Sequence, residues 1–173
     1  MKILLISLLL ISSLFSHPHT FIDVYPTIKV KDEKITSVHF KWALDEMTST
    51  ILIMELDQDM DGKINKKENS YIHDNYFYIF ENYSYYTHIK VDGEVINSLK
   101  VKNFKATIEK GRICYSFEVE GSFDIKNTVF EFGDTDFYVA MVLKDEFLDV
   151  DGAKATVTGV DNDFYYGYKL ELK

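Results

Sequence analysis

At 173 residues and a formal net charge of −9, the chain is long enough to bury one domain's core and too acidic to favour nucleic acid or an anionic lipid surface. Its single cysteine, Cys114, excludes an intramolecular disulfide, so stability must come from packing or from metal. Two prolines and the lack of any low-complexity stretch or repeat leave no linker and no second domain.

In chain order, Met1-Lys2 precedes an apolar run from Ile3 to Phe15 that is too short to span a bilayer, and Ser16 is the small residue before the character changes. These are the parts of a secretory signal peptide, residues 1–16, cut after Ser16 to leave a single β-rich domain, residues 17–173. An uncleaved signal anchor is the alternative. The expected location is periplasmic or secreted, and the processed chain is not an integral membrane protein. Its amino terminus becomes His17-Pro18-His19.

From Thr20 to Lys41, Val, Ile, Thr and aromatic residues alternate around a turn at Lys31-Asp32-Glu33-Lys34, which predicts a two-stranded hairpin. Asp45 then caps a helix from about Glu46 to Leu56, with Met47, Ile51, Met54 and the neighbouring Leu52 at helical spacing. A second helix is expected from Asn65 to about Tyr83, with Ile72, Tyr76, Ile79, Phe80 and Tyr83 on one face. The rest reads with a period of two: Thr87 to Val91, Val95 to Val101, Phe104 to Glu109, Arg112 to Glu120, Val129 to Phe132, Phe137 to Leu143, Ala153 to Val160 and Phe164 to Leu172. Turns fall at Val91-Asp92-Gly93-Glu94 and Lys110-Gly111. The predicted class is α+β: β-sandwich-like antiparallel sheets with an inserted helix–EF-hand loop–helix unit at about residues 46–83. Cys114 reads as buried filler.

Between the two helices, Asp57-Gln58-Asp59-Met60-Asp61-Gly62-Lys63-Ile64-Asn65-Lys66-Lys67-Glu68 fills every position of an EF-hand loop. Asp57, Asp59 and Asp61 offer carboxylates at positions one, three and five. Gly62 permits the turn at six, Lys63 offers its carbonyl at seven, Asn65 stands at nine and Glu68 supplies a two-oxygen grip at twelve. Ile64, at eight, anchors the loop between its helices. The predicted ligand is Ca2+, with magnesium fitting worse because it needs a small octahedron and holds its waters. A solvated acidic turn that caps a helix is the bland alternative, and it leaves Gly62 and Glu68 unexplained. No other glycine carries acidic residues at the corresponding offsets, so an unpaired, structural site is expected rather than a sensor.

A second candidate site lies at the processed terminus. In an extended strand residues 17, 19, 21 and 23 face one way, so His17, His19 and Asp23 are candidates for a transition metal, with His39 joining if it pairs across the hairpin. That donor set suits Zn2+, Ni2+, Co2+ or Cu2+. Pro18 has no amide proton, which excludes a square-planar site built on amide nitrogens. The alternative is that these residues are only a stiff leader into the first strand.

The stretches His17-Pro18-His19-Thr20-Phe21-Ile22-Asp23, Trp42-Ala43-Leu44-Asp45-Glu46-Met47, Asp57 to Glu68, Tyr86-Thr87-His88-Ile89 and Asp136-Phe137-Tyr138-Val139-Ala140 together resemble the bacterial domain of unknown function one-thousand-and-seven. The resemblance implies a periplasmic component of an uncharacterised ABC-type transport system, often encoded near nickel, cobalt or zinc transport genes, with no established enzymatic activity. The family's Asp-Pro-x-Tyr-Tyr pattern stands here as Asp134-Thr135-Asp136-Phe137-Tyr138, without the proline. The chain is too small for a two-lobed solute-binding protein with a hinged cleft.

Three functions follow as expectations. The first is a calcium-binding accessory in nickel, cobalt or zinc transport or handling, working with a membrane metal transporter. The second is a calcium-stabilised protein-interaction module presenting Tyr83, Tyr85, Tyr86, Tyr165 and Tyr166. The third is a copper oxidoreductase built on an amino-terminal histidine brace, of which the sequence shows only the start. No nucleophile elbow, phosphate loop or thiolate cluster is present, so no enzyme is expected.

Overall fold

The structure, a computed structural model, describes residues 19–136, 138–161 and 165–173. The expected signal segment, His17, and the predicted strand starts at Phe137 and Phe164 lie outside them. Strands β1 (Thr20–Lys31) and β2 (Lys34–Leu44) pair antiparallel, from Ile22 opposite Leu44 to Lys31 opposite Lys34. The connecting Asp32 and Glu33 both take left-handed φ, 52° and 59°, a two-residue turn whose twist matches that of the strands it joins. The same solution recurs at Asp92-Gly93 and Lys110-Gly111.

Strands β3 (Thr87–Val91), β4 (Glu94–Val95), β5 (Val101–Glu109), β6 (Arg112–Val119), β7 (Phe123–Asp124), β8 (Thr128–Gly133), β9 (Val139–Val142), β10 (Asp149–Asp151), β11 (Ala155–Asp161) and β12 (Tyr166–Leu172) complete two sheets. One runs β10-β1-β2-β6-β5, with β7 beside β2 and β9 beside β1; the other runs β11-β12-β8-β3-β4. They face each other across aromatic contacts: Phe40 of the first sheet meets Phe130 and Phe132 of the second at 6.4 and 5.5 Å between ring centroids. Fully burying such a ring stabilises by about 2–3 kcal/mol. The mostly β class and the paired sheets agree with the sequence pattern.

Several elements differ from their predicted form. The sheets are not wholly antiparallel, because β9 and β10 both run parallel to β1, along Thr20–Asp23 and Thr27–Lys29. After leaving the second sheet the chain returns to β1's free edge and uses it twice, broken by a short 3₁₀ turn at Asp145–Phe147. The predicted strand from Val95 to Val101 does not form: Val95 ends β4 and Val101 opens β5, with Ser98 at φ 67° and Leu99 turned into the core between them. Where the proline is missing, the Asp134 carboxylate holds the turn instead, accepting hydrogen bonds from the backbone N–H of Asp136, Tyr138 and Val139.

Helix α1 (Glu46–Leu56) begins at Asp45 as expected. Its orientation is the surprise: Met47, Ile51 and Met54 are 67, 59 and 72% exposed, and the buried residues are Ser49 and Leu56. The Asp45 carboxylate explains the rotation. It caps Thr48 N at 2.9 Å and also accepts Phe21 N of β1 at 3.0 Å, pinning the helix start to the sheet. Ser49 Oγ then donates to Leu44 O and accepts Ile113 N, which seats that face of the helix on β2 and β6. Polar stitching, not the apolar stripe, chooses the packed face.

The exit segment is no single regular helix. Helix α2 (Lys66–Ile72) continues as a π-helical turn, His73–Phe77, and a 3₁₀ stretch, Tyr78–Tyr86, where Ser84 and Tyr85 take left-handed φ of 50° and 52°. The distortion lets Phe77, Tyr85 and Tyr86 turn inward together. Phe77 and Tyr85 meet Phe117 at 5.1 and 5.7 Å, and Tyr86 meets Trp42 at 6.1 Å. Packing of these rings outweighs helical regularity. Burial of Tyr85, Tyr86 and Tyr165 also removes most of the expected tyrosine surface, leaving Tyr83 and Tyr166 exposed. Cys114 is buried, and burial pushes its thiol above the usual value.

Candidate metal centre

The segment between α1 and α2 closes on itself through its own backbone. Leu56, fully buried, fixes the end of α1, and Ile64 packs against the same core, so both flanks of the loop are anchored. The Asp57 carboxylate accepts Asp61 N at 3.1 Å and Gly62 N at 2.9 Å. Asp59 accepts Asp61 N at 3.3 Å and the Asn65 amide at 3.1 Å, and Asp61 accepts Lys63 N at 2.8 Å. Gly62 holds φ +78° with open space where a Cβ would stand, so glycine is required there by backbone conformation and not by crowding.

Donor atoms from Asp57, Asp59 and Asp61 lie within 4.8 Å of one another, the one such group of three among the described residues. Three carboxylates so placed could hold a metal ion, and their all-oxygen chemistry suits a hard cation. Glu68 is buried but is not one of the three. One of its oxygens accepts Gln58 N at 2.7 Å and the other Asn65 N at 2.8 Å. Asn65 caps α2 in return, accepting Lys67 N and Glu68 N, so the pair form a capping box. Position twelve therefore closes the loop from within, and position nine is occupied with Asp59 and the helix cap.

The histidine end is arranged differently. His19 is exposed, donates its backbone N–H to Tyr138 O at 2.9 Å and stacks its ring on Tyr138. Asp23 lies four residues along, about 13 Å at strand rise, and its carboxylate is paired with Arg112 at 2.8 Å. His39 stands opposite Thr27 and beside Glu118, another four residues on. The register thus keeps His19, Asp23 and His39 at separate levels and does not gather them. Positions 19, 21 and 23 share the spacing of one strand face, but a common face is not a common point.

Sequence reading missed Arg112, the chain's one arginine. Its guanidinium ties Asp23 to the carbonyls of Leu44 and Ala43, locking the end of the β1–β2 hairpin where α1 departs. Its uniqueness among the basic residues was the one available signal. A second polar cluster lies on the other sheet, where Lys90 Nζ donates to both Glu131 oxygens at 2.9 Å and the Tyr165 hydroxyl donates to one of them. Burial pulls the Glu131 carboxyl upward, yet these partners hold it below its ordinary value.

A family model described as "Protein of unknown function (DUF1007)" matches residues 2–160. An uncharacterised protein of Haemophilus influenzae (strain ATCC 51907 / DSM 11121 / KW20 / Rd) is 26% identical over 116 residues, which are 67% of this chain and 55% of that protein. The chain thus spans about half the length of the curated relative it matches.

Proposed function

The chain belongs to the DUF1007 family, and from that premise we propose that it is a calcium-binding protein whose EF-hand-type loop, Asp57 to Glu68, staples α1 to α2 and so braces the helical unit against the sandwich. The observation that carries the reading is the approach of Asp57, Asp59 and Asp61 to within 4.8 Å around a Gly62 turn. Three carboxylates so close repel one another in water, and a dication between them removes that cost. Loop hydrogen bonds to Asp57 and Asp59 leave lone pairs free for an ion, while Glu68 would have to release its N–H partners to join them. An unpaired hand on a rigid body suits a structural role, with affinity on the order of 10⁻⁴ to 10⁻³ M.

Transition-metal handling has no comparable support, since the register disperses His19, Asp23 and His39. The test is thermal melting and titration calorimetry of the full chain with calcium and with magnesium. At a calcium concentration of about 100 times the dissociation constant, stabilisation of about 2.7 kcal/mol is expected. Asp57→Ala should remove both the calcium heat and the rise in melting temperature. Identical melting with and without calcium in the wild type would sink the reading.

A further inference from the structure

We propose that the groove between α1 and the 73–86 segment, with the Met47, Ile51 and Met54 ridge beside it, docks a cationic segment of a partner protein anchored by apolar side chains. The groove holds about 170 Å³. Ile22, Leu44 and Tyr115 form its floor, Thr48 and Leu52 of α1 one wall, and Tyr76, Ile79 and Phe80 the other. Tyr76 donates its hydroxyl to Glu55 of α1, which ties the two walls at one end.

The ridge is the unusual part. In a helix, Met47, Ile51 and Met54 lie roughly a quarter turn from the groove-lining Thr48 and Leu52, and opposite the buried Ser49 and Leu56. A surface helix normally turns such a stripe inward, and here hydrogen bonds through Asp45 and Ser49 turn it outward. Ile79, on the far wall, is also exposed. Contiguous apolar surface rimmed by polar groups marks an interaction site.

Charge selects the occupant. Residues 46–56 and 73–86 carry Glu46, Glu55, Asp74 and Glu81 and not one lysine or arginine. His73 is already paired with Asp74, and nearby Arg112 is engaged by Asp23. An apolar patch flanked by carboxylates with no lysine or arginine on either wall favours a segment that sets lysine or arginine around apolar anchors. It disfavours an anionic membrane and, at a net charge of −9, a second copy of the chain. Neither wall uses a loop residue, so the surface goes beyond the calcium reading and stands without it.

The experiment uses the full chain and two synthetic amphipathic peptides of matched length, one of leucine and lysine, the other of leucine and glutamate, titrated at physiological salt with and without calcium. The leucine–lysine peptide is expected to bind at least about tenfold more tightly than its acidic counterpart, and Ile51→Ser with Met54→Ser to weaken it by about tenfold or more. Val95→Ser, an exposed apolar residue on β4, should leave binding unchanged. Because the altered side chains are exposed, the melting temperature should hold; if it falls, Ile79→Ser on the opposite wall provides the same readout. Equal binding of both peptides, or wild-type binding by the ridge variants, overturns the proposal. So does a wild-type dimer in sedimentation that Ile51→Ser dissolves, or ridge-dependent binding to phosphatidylcholine vesicles.

Discussion

The acidic loop and the start of β1 both present metal-competent side chains at short, regular spacing, yet they end in opposite states. In the loop, residues 57, 59 and 61 curl around Gly62, and backbone N–H groups aim the Asp57 and Asp59 carboxylates toward a shared centre. On the strand, the same two-residue spacing lays donors out in a line, each step adding about 3.3 Å per residue. Asp23 is then taken by Arg112, and His39 falls far along the hairpin. Side-chain type alone thus does not bring donors together, whereas the curvature of the backbone that carries them does.

The largest expected effect tests whether the loop depends on its anchors. Leu56→Ala removes a fully buried side chain at the loop's edge and should cost about 2–5 kcal/mol in urea unfolding. It should also weaken calcium heat in calorimetry. Unchanged affinity in a folded variant would mean that the loop organises itself, and the contrast with the strand would then rest on local turn geometry alone.

On the strand side, Arg112→Ala strips Asp23 and two carbonyls of their donor and should cost about 1–3 kcal/mol by the same measurement. Freed of its partner, Asp23 is still about 13 Å along the strand from His19, so zinc titration should give no new binding. Zinc heat appearing in that variant would show that the arginine, and not the register, keeps the donors apart.

Asp45 joins the two regions, since one carboxylate caps α1 and holds Phe21 of β1. Asp45→Ala should cost about 1 kcal/mol at neutral pH. Partial burial alone would raise its pKa, but hydrogen bonds from Thr48 and Phe21 hold the carboxyl below its ordinary value of 3.8. A depressed carboxyl contributes fully above that ordinary value and loses its contribution as pH falls through the folded one. The difference between wild type and variant should therefore close below pH 3.8 in acid-series urea unfolding. A gap that persists there would assign the stabilisation to something other than the charged carboxylate.

The smallest effect is expected where the donors are dispersed. His19→Ala combined with His39→Ala should change stability by no more than about 0.5 kcal/mol and leave the calcium response intact. A substantial loss would make the histidine face a structural partner of the loop.

How much of this was legible beforehand differs by element. The hairpin from Thr20, the Asp45 cap and the turns at Asp92-Gly93 and Lys110-Gly111 could be read directly, because each depends on neighbours a few residues away. The spacing of Asp57, Asp59, Asp61 and Gly62 is local in the same sense, so the convergence of the three aspartates follows from the loop's own turn. The parallel pairing of β9 and β10 with β1 could not be read, nor could the outward turn of Met47, Ile51 and Met54. Both depend on groups far along the chain: the free edge of β1 in one case, Phe21 N, Leu44 O and Ile113 N in the other. The kinked exit from α2 has the same origin, since the rings it buries find Trp42 and Phe117 only once the sheet exists.

By itself, then, the sequence determined the hairpin turns, the start of α1 and the acidic loop, whose hydrogen bonds close within the loop itself. Tertiary structure alone decided which strand donors stay apart and which apolar face stays in water. Those outcomes depend on strand register and on polar contacts between residues distant in sequence, and no local pattern encodes either.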